Sequence, residues 1–339
     1  RDYYAIPTAP ADAGSIVPPG DVHDLTSKLR PDGTLDWQPG AGRWMILRLG
    51  YSLTGAVNAP APAEATGYEV DKLDAAAVTD YMTRYLDTYR AALPPELIGA
   101  RGVTTMLNDS IEAGAQNWTP ALLAEFRSRR GYDPVPWLPA LTGRIVGSAG
   151  DSDRFLWDFR TTIAELIAAN HYGEIAKRMR VAGLKLRGEA LEDHRPVLGD
   201  DMAMRSHADE PTGAIWAPNE QHGIEPASIA DLKGAASVAH LYGRDSVAAE
   251  AFTSGLAPWA GSPRTLKRVA DAALALGVTR FMIHSSVHQP VEGKLPGLTL
   301  GIFGQYFNRN ETWAGQAGAW TEYLARAQFL LRQGRHAPD

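Results

Sequence analysis

Short apolar runs alternate with longer amphipathic stretches along most of the 339 residues. The runs at 4–7, 43–51, 102–109, 184–190, 202–207, 246–251 and 280–284 read as strands. Most are nearly continuous in apolar residues, as in strands covered on both faces of a parallel sheet. Helical patterns lie between them. Residues 75–93 follow Asp74, a good N-cap, and carry Val78, Met82, Tyr85, Leu86 and Tyr89 on one stripe. Residues 155–179 form a long helical stretch, and residues 263–276 begin with Pro263 just inside a Ser262 cap.

This βαβα rhythm predicts an α/β fold with a parallel sheet. A doubly wound dinucleotide domain should carry G-x-G-x-x-G after its first strand, and neither that motif nor a P-loop occurs. The closed (β/α)8 barrel of TIM type is therefore the expected architecture, as one catalytic domain over residues 1–339. Seven strands are found for the eight required, with the missing one placed in residues 11–42 or outside this segment. The proline- and alanine-rich stretches 56–66 and 134–139 read as ordered loops. Residues 199–226, rich in Asp, Glu, His, Pro and Gly, look too polar for core. The chain opens on Arg1 without an initiator Met or a signal peptide, and is expected to be part of a longer multidomain protein.

Composition narrows the chemistry. With 45% hydrophobic and 21% charged residues the chain is ordinary for a globular protein. A net charge of −6 with scattered basic residues gives no reason to expect a nucleic-acid partner. No apolar stretch approaches the ~20 residues needed to cross a bilayer, so no membrane partner is expected. The absence of cysteine excludes disulfides, thiolate metal sites and cysteine nucleophiles. Nine Trp and 12 Tyr, several beside Gly, Asn and Asp, could supply flat rings for sugars, although most aromatics in any protein are core.

In a barrel, chemistry sits where strands end. Those ends are mostly acidic here: Asp109 and Glu112 after 102–109, Glu189 in 184–190, His207 and Glu210 after 202–207, Glu250 in 246–251, and His284 and His288 after 280–284. Glu250 stands out, because it follows Val247-Ala248-Ala249 in a buried strand, where an ionisable group is costly. The competing reading is a structural Glu paired with a neighbouring Arg. Glu112 could simply begin a helix, but Asn108, Asp109, Gln116, Asn117 and Trp118 surround it with polar and aromatic groups. Two carboxyls on different strand ends are what glycosidic cleavage needs. Ser110 and Ser254 lack the G-x-S-x-G context of a serine nucleophile. No His-Glu-x-x-His occurs, and the carboxylates suit a hard cation such as Ca²⁺ better than zinc.

Longer motifs resemble the α-L-rhamnosidases of glycoside hydrolase family 106. They include Trp44-Met45-Ile46-Leu47-Arg48-Leu49-Gly50-Tyr51, Glu69-Val70-Asp71-Lys72, Asp109-Ser110-Ile111-Glu112-Ala113-Gly114, Asn170-His171-Tyr172-Gly173, Ala249-Glu250-Ala251-Phe252-Thr253-Ser254 and Val287-His288-Gln289-Pro290. The resemblance implies a barrel from a larger periplasmic or secreted bacterial enzyme, although a cytoplasmic location stays open. It implies calcium-dependent, inverting release of terminal α-L-rhamnose, with Glu112 as general acid and Glu250 as general base. Sugar-lining positions are expected at Asp71, Asp109, Trp118, Glu189, His207, Trp216, His284 and His288, and a Ca²⁺ site at Asp109, Glu189 and Glu210. Two positions depart from the family pattern: Ile111 stands where a Trp precedes the acid, and Ala214 stands where a Glu is expected. Ala214 keeps a non-catalytic rhamnoside-binding barrel in play, and a hydrolase for a different sugar is the other alternative.

Overall fold

The computed structural model describes residues 16–334 other than 60, 115, 191–198, 219–222, 256, 302 and 304. Its strands are β1 (Ile16–Val17), β2 (Thr105–Asn108), β3 (Ile145–Val146), β4 (Lys185–Gly188), β5 (Glu210–Trp216), β6 (Ala248–Thr253) and β7 (Arg280–Ile283). The α-helices are α1 (Ala75–Ala92), α2 (Leu122–Arg130), α3 (Ala149–Leu166), α4 (Glu174–Val181), α5 (Asp201–Ser206), α6 (Pro226–Leu241), α7 (Pro263–Ala275) and α8 (Ala317–Leu331). Strands β2, β4, β5, β6 and β7 pair in that order, all parallel, into one curled sheet, a half-barrel. Because each crossover returns the chain to the same edge, all five strands end on one side. β1 and β3 form a separate two-stranded parallel pair.

Local signals explain the elements that match expectation. The Asp74 carboxylate accepts the Ala76 amide at 2.8 Å, and Val78, Met82 and Leu86 bury one face of α1 against α4, β2 and β4. Ser262 and Thr265 cap α7 reciprocally, and Leu266, Val269, Ala270 and Ala273 press its inner face onto β6. The stretch expected over 155–179 runs as α3, then a π-helical turn at Ile167–Gly173, then α4. The wide turn places His171 and Tyr172 in the core.

Three expectations change. Residues 43–51 form no ladder; the segment is extended and exposed, with Met45 at 63% and Ile46 at 60%, because its apolar pattern meets no partner strand among the described residues. Residues 202–207 are helical: Asp200 accepts the Ala203 amide at 2.9 Å and starts α5, and Met-Ala-Met-Arg is too short a run for apolar content to discriminate helix from strand. The strand instead lies at β5, within the stretch that looked too polar for core. It is nearly all buried, and its Pro, Thr and Gly serve close packing: a Cβ on Gly213 would lie 2.9 Å from the Asp231 carboxylate of α6. The strand expected at 4–7 lies outside the described residues.

Candidate active site

The strand ends bring carboxylates together. Asp109 follows β2, Glu189 follows β4 and Glu250 lies within β6; one carboxylate oxygen from each falls within 4.8 Å of the other two. Glu189 is 4% exposed, and its Oε1 is buried with no hydrogen-bond partner among the described residues. Burial, followed by the Asp109, Glu250 and Asp231 charges, pushes its pKa well above the usual carboxylate range, with Arg205 opposing. Beside it the amide nitrogen of Asn108 is also buried and has no partner among the described residues. Glu250 is half-buried. Burial raises its pKa first, with Asp109 and Glu112 adding to the rise, while His284 and a hydrogen bond from Thr253 oppose it.

Glu112 is exposed in the loop after β2, accepts the Ser110 hydroxyl at 3.2 Å, and is close enough for its charge to act on Glu250. Glu250 has no arginine partner among the described residues; it accepts from Thr253 Oγ1 at 3.3 Å, and that hydroxyl lies 2.9 Å from Nδ1 of His284. Ala214 of β5 is in register with Glu250, so the two side chains leave the same face. The Ala214 amide donates to Asp231, which also pairs with the fully buried Arg205 of α5. Asp201 and the Thr212 carbonyl complete this brace behind β5.

The other expected residues divide. Trp216, 39% exposed at the end of β5, meets Phe303 edge-on and leaves ring surface open. Trp118 is half-buried, packed near Phe159 and stacked on Tyr51. His284 joins the cluster, whereas His288 is exposed further along the same loop. Asp71 is a brace: it accepts the Leu73 amide and the Thr119 hydroxyl, tying the entrance of α1 to the loop after β2. His207 and Glu210 sit at the other end of the sheet. Because residues 201–206 are helix rather than strand, His207 precedes the start of β5 and packs on Gly173; burial and then Arg180 and Arg244 lower its pKa. Glu210 opens β5 paired with Arg187 and Arg280 and accepts the Ser246 hydroxyl at 2.5 Å. Burial alone would raise its carboxyl, but these partners outweigh it and hold the pKa low. It is thus spoken for and stands apart from Asp109 and Glu189. Thr253 and the Arg205–Asp231 pair were not singled out from the sequence, and only the i, i+4 spacing of Asp201 and Arg205 hinted at the second.

A model of the α-L-rhamnosidase family, glycoside hydrolase family 106, matches residues 1–339. The chain belongs to this family. A rhamnosidase from Novosphingobium sp. PP1Y shares 54% identity and a TM-score of 0.85, over 94% of this chain and 30% of that one. A protein of Formosa agariphila named as a putative beta-glucuronidase is 38% identical over 327 residues, 96% of this chain and 27% of its own length. The chain thus spans under a third of the length of these relatives. No helix among the described residues is long and apolar enough to cross a membrane.

Proposed function

We propose that this chain carries the catalytic centre of an inverting glycoside hydrolase that releases terminal α-L-rhamnose. The observation that carries the reading is the acidic cluster at the C-terminal strand ends, where Glu250 has a raised pKa, no lysine or arginine paired to it among the described residues, and Glu112 close by. Glu112 protonates the departing glycosidic oxygen as its bond to the anomeric carbon breaks. Glu250 takes a proton from the water that attacks the opposite face. Inversion asks for carboxyls roughly 6.5–9.5 Å apart, leaving room for that water. Trp216 offers a ring for the apolar face of the sugar. In the longer protein the curled sheet is part of a closed (β/α)8 barrel.

Asp109 and Glu189 fit a hard cation, since both offer oxygen and the buried Glu189 Oε1 has no other partner among the described residues. They would hold a Ca²⁺, which when bound neutralises the cluster and orients sugar hydroxyls. Glu210 is not in this set, because two arginines already occupy it.

The test is hydrolysis of an aryl α-L-rhamnoside followed by proton NMR. Initial release of the β-anomer is expected; initial α-anomer would exclude inversion. A second reading rests on Ala214 beside Glu250: a barrel that binds rhamnosides without cleaving them. Rhamnose binding without turnover would select it.

A further inference from the structure

Strand β6 breaks its own alternation. Ala214, Ile215 and Trp216 of β5 pair in turn with Glu250, Ala251 and Thr253, so Phe252 has no β5 residue opposite it. It is a bulge, and its φ of 78° lies in the left-handed region, where a large side chain is uncommon and costly. In a regular strand Ala249, Ala251 and Thr253 would share one face, and Glu250 and Phe252 the other. Instead Ala249, Ala251 and Phe252 pack in one cluster with Leu266 and Val269 of α7 and Trp320 and Leu324 of α8. Thr253 is turned to the Glu250 side, where its hydroxyl lies 3.3 Å from Glu250 Oε1 and 2.9 Å from His284 Nδ1. Backbone bonds fasten the strand around the bulge: the Ala251 carbonyl accepts the His284 amide at 2.9 Å, and the Thr253 carbonyl accepts the Ala217 amide at 2.7 Å. The Phe252 ring is fully buried, centred 5.6 Å from Phe281, 5.7 Å from Trp320 and 6.2 Å from Phe307. Such packing offsets the cost of the backbone.

We infer that Phe252 is a positioning residue: its ring, anchored among these aromatics, holds the left-handed bulge that presents the Thr253 hydroxyl to Glu250 and His284. A hydroxyl at that place limits rotation of the Glu250 carboxylate, whichever neighbour accepts its proton. Without the anchor the end of β6 can return to regular alternation, because the loop that follows absorbs the change in length. Residue 252 would then face the site, and Thr253 the core between the sheet and α7. The consequence for turnover rests on the reading of Glu250 as the base; the placement of Thr253 does not.

Alanine and glycine at position 252 separate the backbone from the ring. Both remove the ring, but only glycine enters the left-handed region without a steric cost. Phe252→Gly should therefore have the higher urea midpoint, the reverse of the usual order inside a strand; an equal or higher midpoint for Phe252→Ala overturns the inference. On an aryl α-L-rhamnoside Phe252→Ala should lower kcat up to about tenfold, the scale of one hydrogen bond, with KM nearly unchanged. Phe252→Gly should lose less. A cavity alone would lower both midpoints and leave the kcat of the folded protein as it was. Thr253→Val should lower kcat to the same extent, with Thr253→Ser restoring it, and should cost nothing further in kcat or urea midpoint when added to Phe252→Ala. Additive losses overturn the inference. So does full kcat in Thr253→Val, which decides the matter even if the variants at 252 do not fold. Failure of the hydrolase reading is separately visible: no turnover by the unsubstituted protein removes cleavage, and the urea midpoints of the same variants then decide the placement of Thr253.

Discussion

Glu189 and Glu210 are the same residue type on neighbouring strands, buried to nearly the same extent at 4% and 6% exposure. Glu189 follows the C-terminal end of β4, faces Asp109 and Glu250, and has an oxygen without a partner among the described residues. Glu210 opens β5 and is enclosed by Arg187, Arg280 and Ser246. Burial raises both carboxyls; only the partners differ, and they send the two pKa values in opposite directions. Burial alone therefore does not mark a working group. A buried carboxylate whose partners are already in the protein holds the sheet together, while one left among like charges is poised for something from outside.

The sharpest break in this comparison is made on the acidic side. Glu250→Gln should reduce turnover of an aryl α-L-rhamnoside by about 10²–10⁴-fold, the usual worth of a positioned acid or base. Its melting temperature should hold or rise, since a like charge is removed. A variant that keeps most of its activity removes Glu250 as base.

On the paired side the expected loss is in stability. Glu210→Gln leaves the half-buried Arg187 without its counter-charge and should cost about 3 kcal/mol in urea unfolding. Arg280 loses the same partner, but it is 42% exposed and free to meet water, so its share of the loss is small. Glu189→Gln should be neutral or stabilising in the same assay. Equal losses in the two variants would erase the distinction between the strand ends.

The proposed cation sharpens the contrast further. Ca²⁺ at a hundred times its Kd should stabilise the protein by roughly 2.7 kcal/mol, by mass action on the folded state. The shift should vanish in Asp109→Asn and Glu189→Gln and persist in Glu210→Gln. A calcium shift that survives Glu189→Gln would place the ion elsewhere.

The same contrast shows what a linear reading of the chain could reach. Strand-end position picks out Asp109, Glu189 and Glu250, because an acid after a run such as Val247-Ala248-Ala249 is conspicuous without any structure. It also picks out Glu210 and His207, and fails there, because the end of the sheet on which a residue falls depends on where each strand begins. Placing a strand at 202–207 instead of β5 moved both residues to the wrong end. The Asp200 cap and the Gly213 contact with Asp231 fix those boundaries, and both involve partners that no periodicity displays. The apolar segment 43–51 failed for a related reason: its alternation specifies a strand, but a strand needs an edge, and none of the described residues supplies one. Thr253 carries no signal of its own; its role exists only once β7 brings His284 alongside.

The smallest predicted effect lies in the pH dependence of stability, where the two glutamates act with opposite sign. The Glu210 pKa is lowered by folding, so its contribution is present above the ordinary carboxylate pKa and is lost as pH falls through the folded value. The Glu189 pKa is raised, so its charge costs stability at neutral pH. That cost is relieved as pH falls through the raised value toward the ordinary one. In EDTA the urea midpoint should therefore rise on mild acidification, then fall once the paired carboxylates protonate. Each group sets a slope of at most about 1.4 kcal/mol per pH unit. Glu189→Gln should remove the rise and keep the fall, and Glu210→Gln should keep the rise and soften the fall. Parallel profiles for Glu189→Gln and the unsubstituted protein would mean that Glu189 is not strained by its neighbours, and the argument for an end of the sheet that attracts positive charge would go with it.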